Sequence, residues 1–350
     1  MSTADATSLR DRGIRQASLA PWAVGAVTVA AVGVTLLLFA VTGFAGRADF
    51  VVVATLFIVV GVGAASWVVE GRRRAIDRIA TNAALAALTL TLLPLCIVIG
   101  YVIKKGSAAF SLSFLTHSAT AGPLAAGGGI APAILGTLEQ VLIASAVTVP
   151  LGLLVAIYIT EYGGNKFATA VRFLIDVMTG IPSIVAGLFV LAFWIIALHQ
   201  GLSGFAGAMA LAIIELPIIV RTSEEMIRLV PNALREASYA LGIPKWKTIV
   251  RVVLPAASTG ITTGVMLAVA RAIGETAPIL LVVGFNNFTN LNPLSGNQSS
   301  LPGYIFEFAR SSSNFDVQRA WAAALTLILV VVVLYVAARL LTRRNQLAGR

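Results

Sequence analysis

The segment Ala270-Arg271-Ala272-Ile273-Gly274-Glu275 places two opposite charges four residues apart in a stretch that is otherwise uncharged from Pro255 to Val283. On a helix, residues at i and i+4 share a face, so Arg271 and Glu275 can pair. Either charge costs roughly 2.5–3.5 kcal/mol at the centre of a bilayer on insertion scales, so both must face protein or water. Two readings stand. The pair can be a structural bridge that fixes helix packing. Alternatively, Arg271 can meet an anion, because a guanidinium stays charged and offers a planar fork of donors that matches an oxyanion. Glu275 would then hold the fork in place and keep the anion from being trapped too tightly. Arg221, at the end of another apolar run, admits a pathway role and a bland one as an inner-face anchor. Asp176, Glu215 and Glu139 lie near span ends and read as helix-end or interhelical partners.

A second cluster lies in residues 221–254. Thr222 followed by Glu225 has capping-box spacing and predicts a helix start. Pro231 should interrupt that helix, Asn232 can cap the next, and Gly242 can end it in a left-handed C-cap. Pro244 suits the first turn of a third helix. Leu234, Ala237 and Leu241 fall at i, i+3 and i+7 and form a short apolar ridge beside Arg235 and Glu236. Such a ridge can lie flat on a membrane or fit the groove of a partner.

These residues need elements to carry them, and the composition says which. Of 350 residues, 58% are hydrophobic and only 11% are charged, with a mean hydropathy of +0.92. A soluble domain carries about 25% charged residues, so a single soluble enzyme domain is excluded, as is disorder. Cys96 is the only cysteine, which excludes an internal disulfide framework. The class left is an all-α polytopic helical membrane protein. Eight apolar stretches read as spans: Ala20–Val41, Phe50–Val69, Ala83–Ile103, Leu135–Ile159 with its Glu139, Ile175–Leu198 with Asp176 at its start, Phe205–Val220 with its Glu215, Pro255–Val283 with its Arg271 and Glu275, and Ala320–Ala338. With the N-terminus inside, the inner segments hold 19 of the 25 Lys and Arg and the outer ones five, which predicts both termini in the cytoplasm. The net charge of +10 therefore reflects topology rather than nucleic acid, for which no aromatic–basic stacking surface is present. The first apolar run is too long for a signal-peptide core. His117 and His199 stand alone, so metal binding is not expected. No nucleophile–base or paired His–carboxylate spacing lies within the spans, which argues against an intramembrane enzyme.

The inner segment also carries a known pattern. Glu236-Ala237-Ser238, three residues, Gly242, nine residues, then Val252, Val253, Leu254 and Pro255 resembles the EAA loop of ABC-importer permeases, with Ser238 in place of the second Ala. Ala270 to Pro278 is similar to the signature of the PstA-type phosphate permeases of ABC transporters. Ile181-Pro182-Ser183-Ile184-Val185 with Gly187-Leu188-Phe189, and Gly128-Gly129-Ile130 with Ala133 to Leu138, resemble further stretches of that family. The resemblance covers about residues 76–345. It implies a type I, MetI-like core of six spans over 76–345, a coupling loop at 221–254, and an N-terminal extension of two spans over 1–75. It implies a substrate pathway through Arg271, Glu275 and Arg221. It also implies coupling to an ATPase through Leu234, Glu236, Ala237, Ser238, Leu241 and Gly242.

The implied partners are a second permease of PstC type, two ATPase subunits of PstB type, a periplasmic or lipid-anchored phosphate-binding protein of PstS type, and membrane lipids. The chain has no phosphate-binding G-x-x-x-x-G-K-[ST] loop, so no cofactor is expected on it. ATP and Mg would sit on the partner ATPase, in a bacterial cytoplasmic membrane. The rival readings are a permease for sulfate or molybdate, and a channel or carrier that works without an ATPase.

Overall fold

A computed structural model describes residues 19–42, 46–118 and 128–348. All regular structure among them is helical. The chain divides into two compact units, Met1–Gly100 and Tyr101–Arg350.

In the first unit, α1 (Pro21–Thr42) and α2 (Arg47–Glu70) pack antiparallel. Phe39 meets Phe50 edge to face at 5.4 Å, and Gly61 leaves room for Val27. Gly71, at φ +87°, supplies the left-handed turn into α3 (Arg72–Gly106). Glu70 closes this corner. It accepts from the Leu19 backbone N–H (2.6 Å), Ser66 Oγ (2.6 Å), and Arg78 Nε and Nη2 (2.6 and 2.8 Å). A charged hydrogen-bond cage of this kind is what permits a carboxylate at the end of an apolar helix.

The second unit follows with α4 (Leu112–Thr116) and α5 (Ala131–Tyr162, ending in a π turn). Next come α6 (Lys166–Thr179), α7 (Ser183–Ala197), α8 (Gly204–Arg228), α9 (Asn232–Ala240) and α10 (Lys245–Ile273). The chain ends in α11 (Ala277–Val282), α12 (Leu301–Ala309) and α13 (Asn314–Ala348). Helix α8 is the central post, packed by α5, α6, α7 and α10. Its contact face is rich in small residues: Ala206, Gly207, Ala208 and Ala210 are buried. Small residues let helices approach closely where lipid provides no hydrophobic drive. Gly152 of α5 faces Ile219, and Gly264 of α10 faces the Thr222 side chain, each so close that a Cβ would collide. Inside this packing Glu215 is fully buried and accepts from Ser145 Oγ (2.8 Å) and Thr148 Oγ1 (2.9 Å) of α5.

Among the described residues seven helices are long and apolar enough to cross a membrane, and the bent pair α6–α7 makes an eighth if it is one span. Each of the eight expected stretches overlaps one of these elements, but several boundaries differ. The fifth span is broken: Gly180, Ile181 and Pro182 separate α6 from α7, whose axes meet at 104°. Proline removes a backbone donor and disfavours helix in the residue before it. The seventh span begins at Lys245 and ends at Ile273, with Ala277–Val282 a separate short helix after Gly274. The expected helix start at Thr222 is absent. Helix α8 runs through that position to Arg228, and Thr222 Oγ1 donates back to Ile218 O at 2.9 Å. A hydroxyl three residues before a carboxylate is equally at home within a helix whose neighbours Ser223 and Glu224 are buried. Asn232 is the first residue of α9 rather than its cap, and Pro231 holds the cap position. The basic residues Arg10, Arg12 and Arg15, Gly127 of the triple glycine, and Arg350 lie outside the described residues.

Candidate functional site

Arg271 sits in the last turn of α10 and Glu275 lies just beyond it, past Gly274. The helix therefore ends between them, and the pair bridges a helix end rather than sharing one unbroken face. Arg271 Nε lies 3.5 Å from Glu275 Oε1, a loose contact. The two are unequally placed: the Arg271 side chain is 62% exposed and that of Glu275 only 14%. Exposure of a guanidinium in a membrane-spanning helix is expensive unless water or another protein meets it.

Arg271 projects over a cavity of about 90 Å³. The polar side chains lining it are Arg271, Thr179 at the end of α6 and Ser183 at the start of α7. The rest of the wall is apolar and includes Ile213, Pro217 and Ile218 of α8. The α6–α7 break thus reaches a residue nearly ninety positions away in sequence (Ser183 and Arg271). Gly187 makes this approach possible, since a Cβ there would come within 2.6 Å of Pro278 Cα, which follows the Arg271–Glu275 corner.

Arg221 lies on α8 one turn after Pro217 and Ile218 and is already engaged. It contacts Asp176 of α6 and donates from Nη1 to Glu224 Oε2 at 3.0 Å. Glu224 also takes Arg172 Nε of α6 (3.1 Å) and Arg228 Nη2 (2.6 Å), while its own side chain is almost fully buried. Three arginines on one carboxylate, with Asp176 as a second acid, leave the cluster one positive charge in excess. Asp176, Glu215 and Glu139 all find interhelical or loop partners, Glu139 with Gln298 Nε2 at 2.6 Å.

The second site is the ridge of α9. Gly242 adopts φ +73°, the left-handed end expected of it, and the Ile243 N–H reaches Ser238 O at 3.2 Å. Leu241 is 79% exposed and Leu234 44%, and Glu236 and Ala237 are exposed beside them. Ser238 points inward and shares a hydrogen bond of 2.8 Å with Thr248 Oγ1. The motif's departure at this position therefore has a partner in α10.

Beneath the ridge lies a residue whose role the sequence did not reveal. Arg235 donates to Glu161 Oε1 from Nη2 (2.8 Å) and Nε (3.1 Å), to Val230 O (2.6 Å) and to Ile227 O (2.9 Å). Both side chains of the Arg235–Glu161 pair are largely buried. Lys245 Nζ donates to the Glu161 carbonyl and lies 4.7 Å from the Tyr162 ring centroid. The C-terminal end of α8, Arg235 of α9 and the start of α10 are thereby fastened to the C-terminal end of α5. Glu224 escaped the sequence reading for a definable reason. Its spacing to Arg221 and Arg228 is helical, but a helix start placed at Thr222 disguises it.

Residues 148–346 match the family model described as binding-protein-dependent transport system inner membrane component. The chain belongs to this family. Among curated relatives of the permease, phosphate transport system permease protein PstA 1 of Mycobacterium tuberculosis (strain ATCC 25618 / H37Rv) is 44% identical over 282 residues, covering 79% of this chain and 92% of the relative. PstA of Yersinia pestis is 40% identical over 275 residues, with coverages of 78% and 92%. Among solved structures, the MetNI methionine ABC transporter in inward-facing conformations (SeMet soak crystal form) is similar with a TM-score of 0.50 at 19% identity. It covers 62% of the permease and 94% of the solved chain. This likeness concerns the fold alone.

Proposed function

We propose that the chain is the transmembrane permease subunit of an ATP-driven inorganic phosphate importer. What carries the reading is the 44% identity over 282 residues to a protein named as a phosphate transport permease. The cavity beneath Arg271 gives that reading a chemistry. A cation loosely held by Glu275 can exchange the carboxylate for an oxyanion without paying to strip a tight ion pair. Arg221, held by two acids at the inner end of the same α8 stripe, is the next cation an anion would meet.

In this reading the open side of the cavity faces a second permease of PstC type, which covers the exposed guanidinium. A PstS-type binding protein, periplasmic or lipid-anchored, delivers phosphate at the outer end. Two PstB-type ATPases, which carry ATP and Mg, dock on the ridge formed by Leu234, Glu236, Ala237, Ser238, Leu241 and Gly242. The basic bias of 19 to five supports both termini in the cytoplasm of a bacterial inner membrane. Residues 76–345 form the permease core, and residues 1–75 are an extension that braces the complex or meets another protein. The permease makes and breaks no bonds; it gives alternating access.

The test is uptake of labelled phosphate by the four-component complex in proteoliposomes. Uptake should need ATP and the ATPase subunits, and should be lost in Arg271→Gln. Transport by the chain without an ATPase, or a wild-type rate in Arg271→Gln, would refute the reading.

A further inference from the structure

The break between α6 and α7 is the feature that the pathway reading leaves unused. It turns two hydroxyl residues into the cavity that Arg271 overhangs, whereas a continuous helix would send them past it. The Ser183 hydroxyl makes no hydrogen bond among the described residues, so its proton is free to donate. Thr179 is in the opposite condition: its Oγ1 proton goes to Ile175 O at 2.9 Å, so toward the cavity it offers only lone pairs. Around these groups the wall is apolar, which raises the value of every polar contact made inside it.

We propose that Ser183 and Thr179 complete the oxyanion seat begun by Arg271, Ser183 donating to an anion oxygen and Thr179 accepting from one that bears a proton. The ligand class that satisfies all three is a tetrahedral oxyanion still carrying a proton at neutral pH, as phosphate does. A fully deprotonated oxyanion would leave Thr179 facing it lone pair to lone pair. This inference rests on the reading of the chain as an oxyanion permease and adds to it the residues that grip and select the cargo.

The experiment uses the complete reconstituted complex with saturating phosphate-loaded binding protein. Assembly of each variant is checked by co-purification. Ser183→Ala should lower the maximal uptake rate about tenfold, the loss expected for one hydrogen bond to a charged group, with the KM for loaded binding protein unchanged. Ser183→Thr should restore the rate. Ser183→Cys keeps the volume but loses the strong donor, and should behave like Ala. Thr179→Val should lower the rate while Thr179→Ser keeps it. Wild-type rates in Ser183→Ala and Thr179→Val overturn the inference. So does failure of the assembled Ser183→Thr complex to recover, or a defect seen only in KM, which would mark a docking position. Arg271→Gln is run alongside. If it is inactive while the Ser183 and Thr179 variants are normal, only this inference falls; if it too transports normally, the pathway reading falls with it.

Discussion

Replacing Arg235 by Ala tests whether the ridge of α9 is mechanically tied to the membrane bundle. The substitution removes two hydrogen bonds to Glu161, two to the carbonyls of Val230 and Ile227, and a longer one to Asn232 Oδ1. It leaves the Glu161 carboxylate, only 6% exposed, without its partner. Breaking a buried ion pair from one side costs about 3–5 kcal/mol, much of it the penalty of the orphaned charge. Arg235→Met with Glu161→Leu removes both charges and should recover most of that stability, so the stability cycle should show a coupling of about 2–3 kcal/mol. Coupling of ATP hydrolysis to transport should not recover in the double variant, because an apolar contact does not hold the ridge to the end of α5 against torque. The assay is the ratio of ATP hydrolysed to phosphate moved in proteoliposomes, read beside thermal unfolding. Arg235→Ala should raise the ratio several-fold. An unchanged ratio and unchanged melting in Arg235→Ala would refute the reasoning, as would a double variant that couples normally.

Three further outcomes follow from the geometry. Gly242 has open space around its Cα, so Gly242→Ala meets no neighbour and should cost only the left-handed backbone penalty of about 1–2 kcal/mol. Gly242→Val should cost more, and both should weaken co-purification with the ATPase. Glu215→Gln keeps one acceptor for Ser145 and sets an amide donor before Thr148 Oγ1, which can accept it while still donating to Ala144 O, so it should assemble, whereas Glu215→Ala takes away the partner of the half-buried Ser145 hydroxyl and one of the two partners of Thr148 and should lower the melting temperature by a few degrees. Tyr304 lies outside the spans, and burial pushes its hydroxyl up to about 12 from an ordinary 10.0. The neutral phenol is thus the form the fold favours. Its contribution should hold below pH 10 and fade as the pH climbs toward 12, and Tyr304→Phe should remove that alkaline loss in a melting series.

The helical membrane class and the place of every long apolar helix could be read from composition and charge spacing alone, because a bilayer imposes both. The left-handed end at Gly242 was equally legible, since few residues tolerate that conformation. What the sequence hid depends on partners distant in the chain. Nothing near Arg235 points to Glu161, and nothing near Ser183 points to Arg271. Pro182 alone does not signal a break, because a proline in an apolar run is also compatible with a continuous helix, as Pro150 and Pro217 show within α5 and α8. Thr222 misled because a capping box and a hydroxyl bonded back to its own helix share one local sequence. The Arg271–Glu275 spacing was read as one helix face, yet Gly274 ends the helix between them.

The break at Gly180–Pro182 has a further consequence for the lipid around it. Ser183–Ala197, whose second half from Leu191 is π-helical, rises at most about 22 Å, against a hydrocarbon thickness of roughly 30 Å. The steeply angled α6 does little to make up the difference. A bilayer answers such hydrophobic mismatch by thinning or by admitting water on the short side. The missing length is at the Ser183 end of α7, which lines the same cavity as Arg271. Water admitted at that end would let the guanidinium keep its charge without sitting at the full depth of the hydrocarbon.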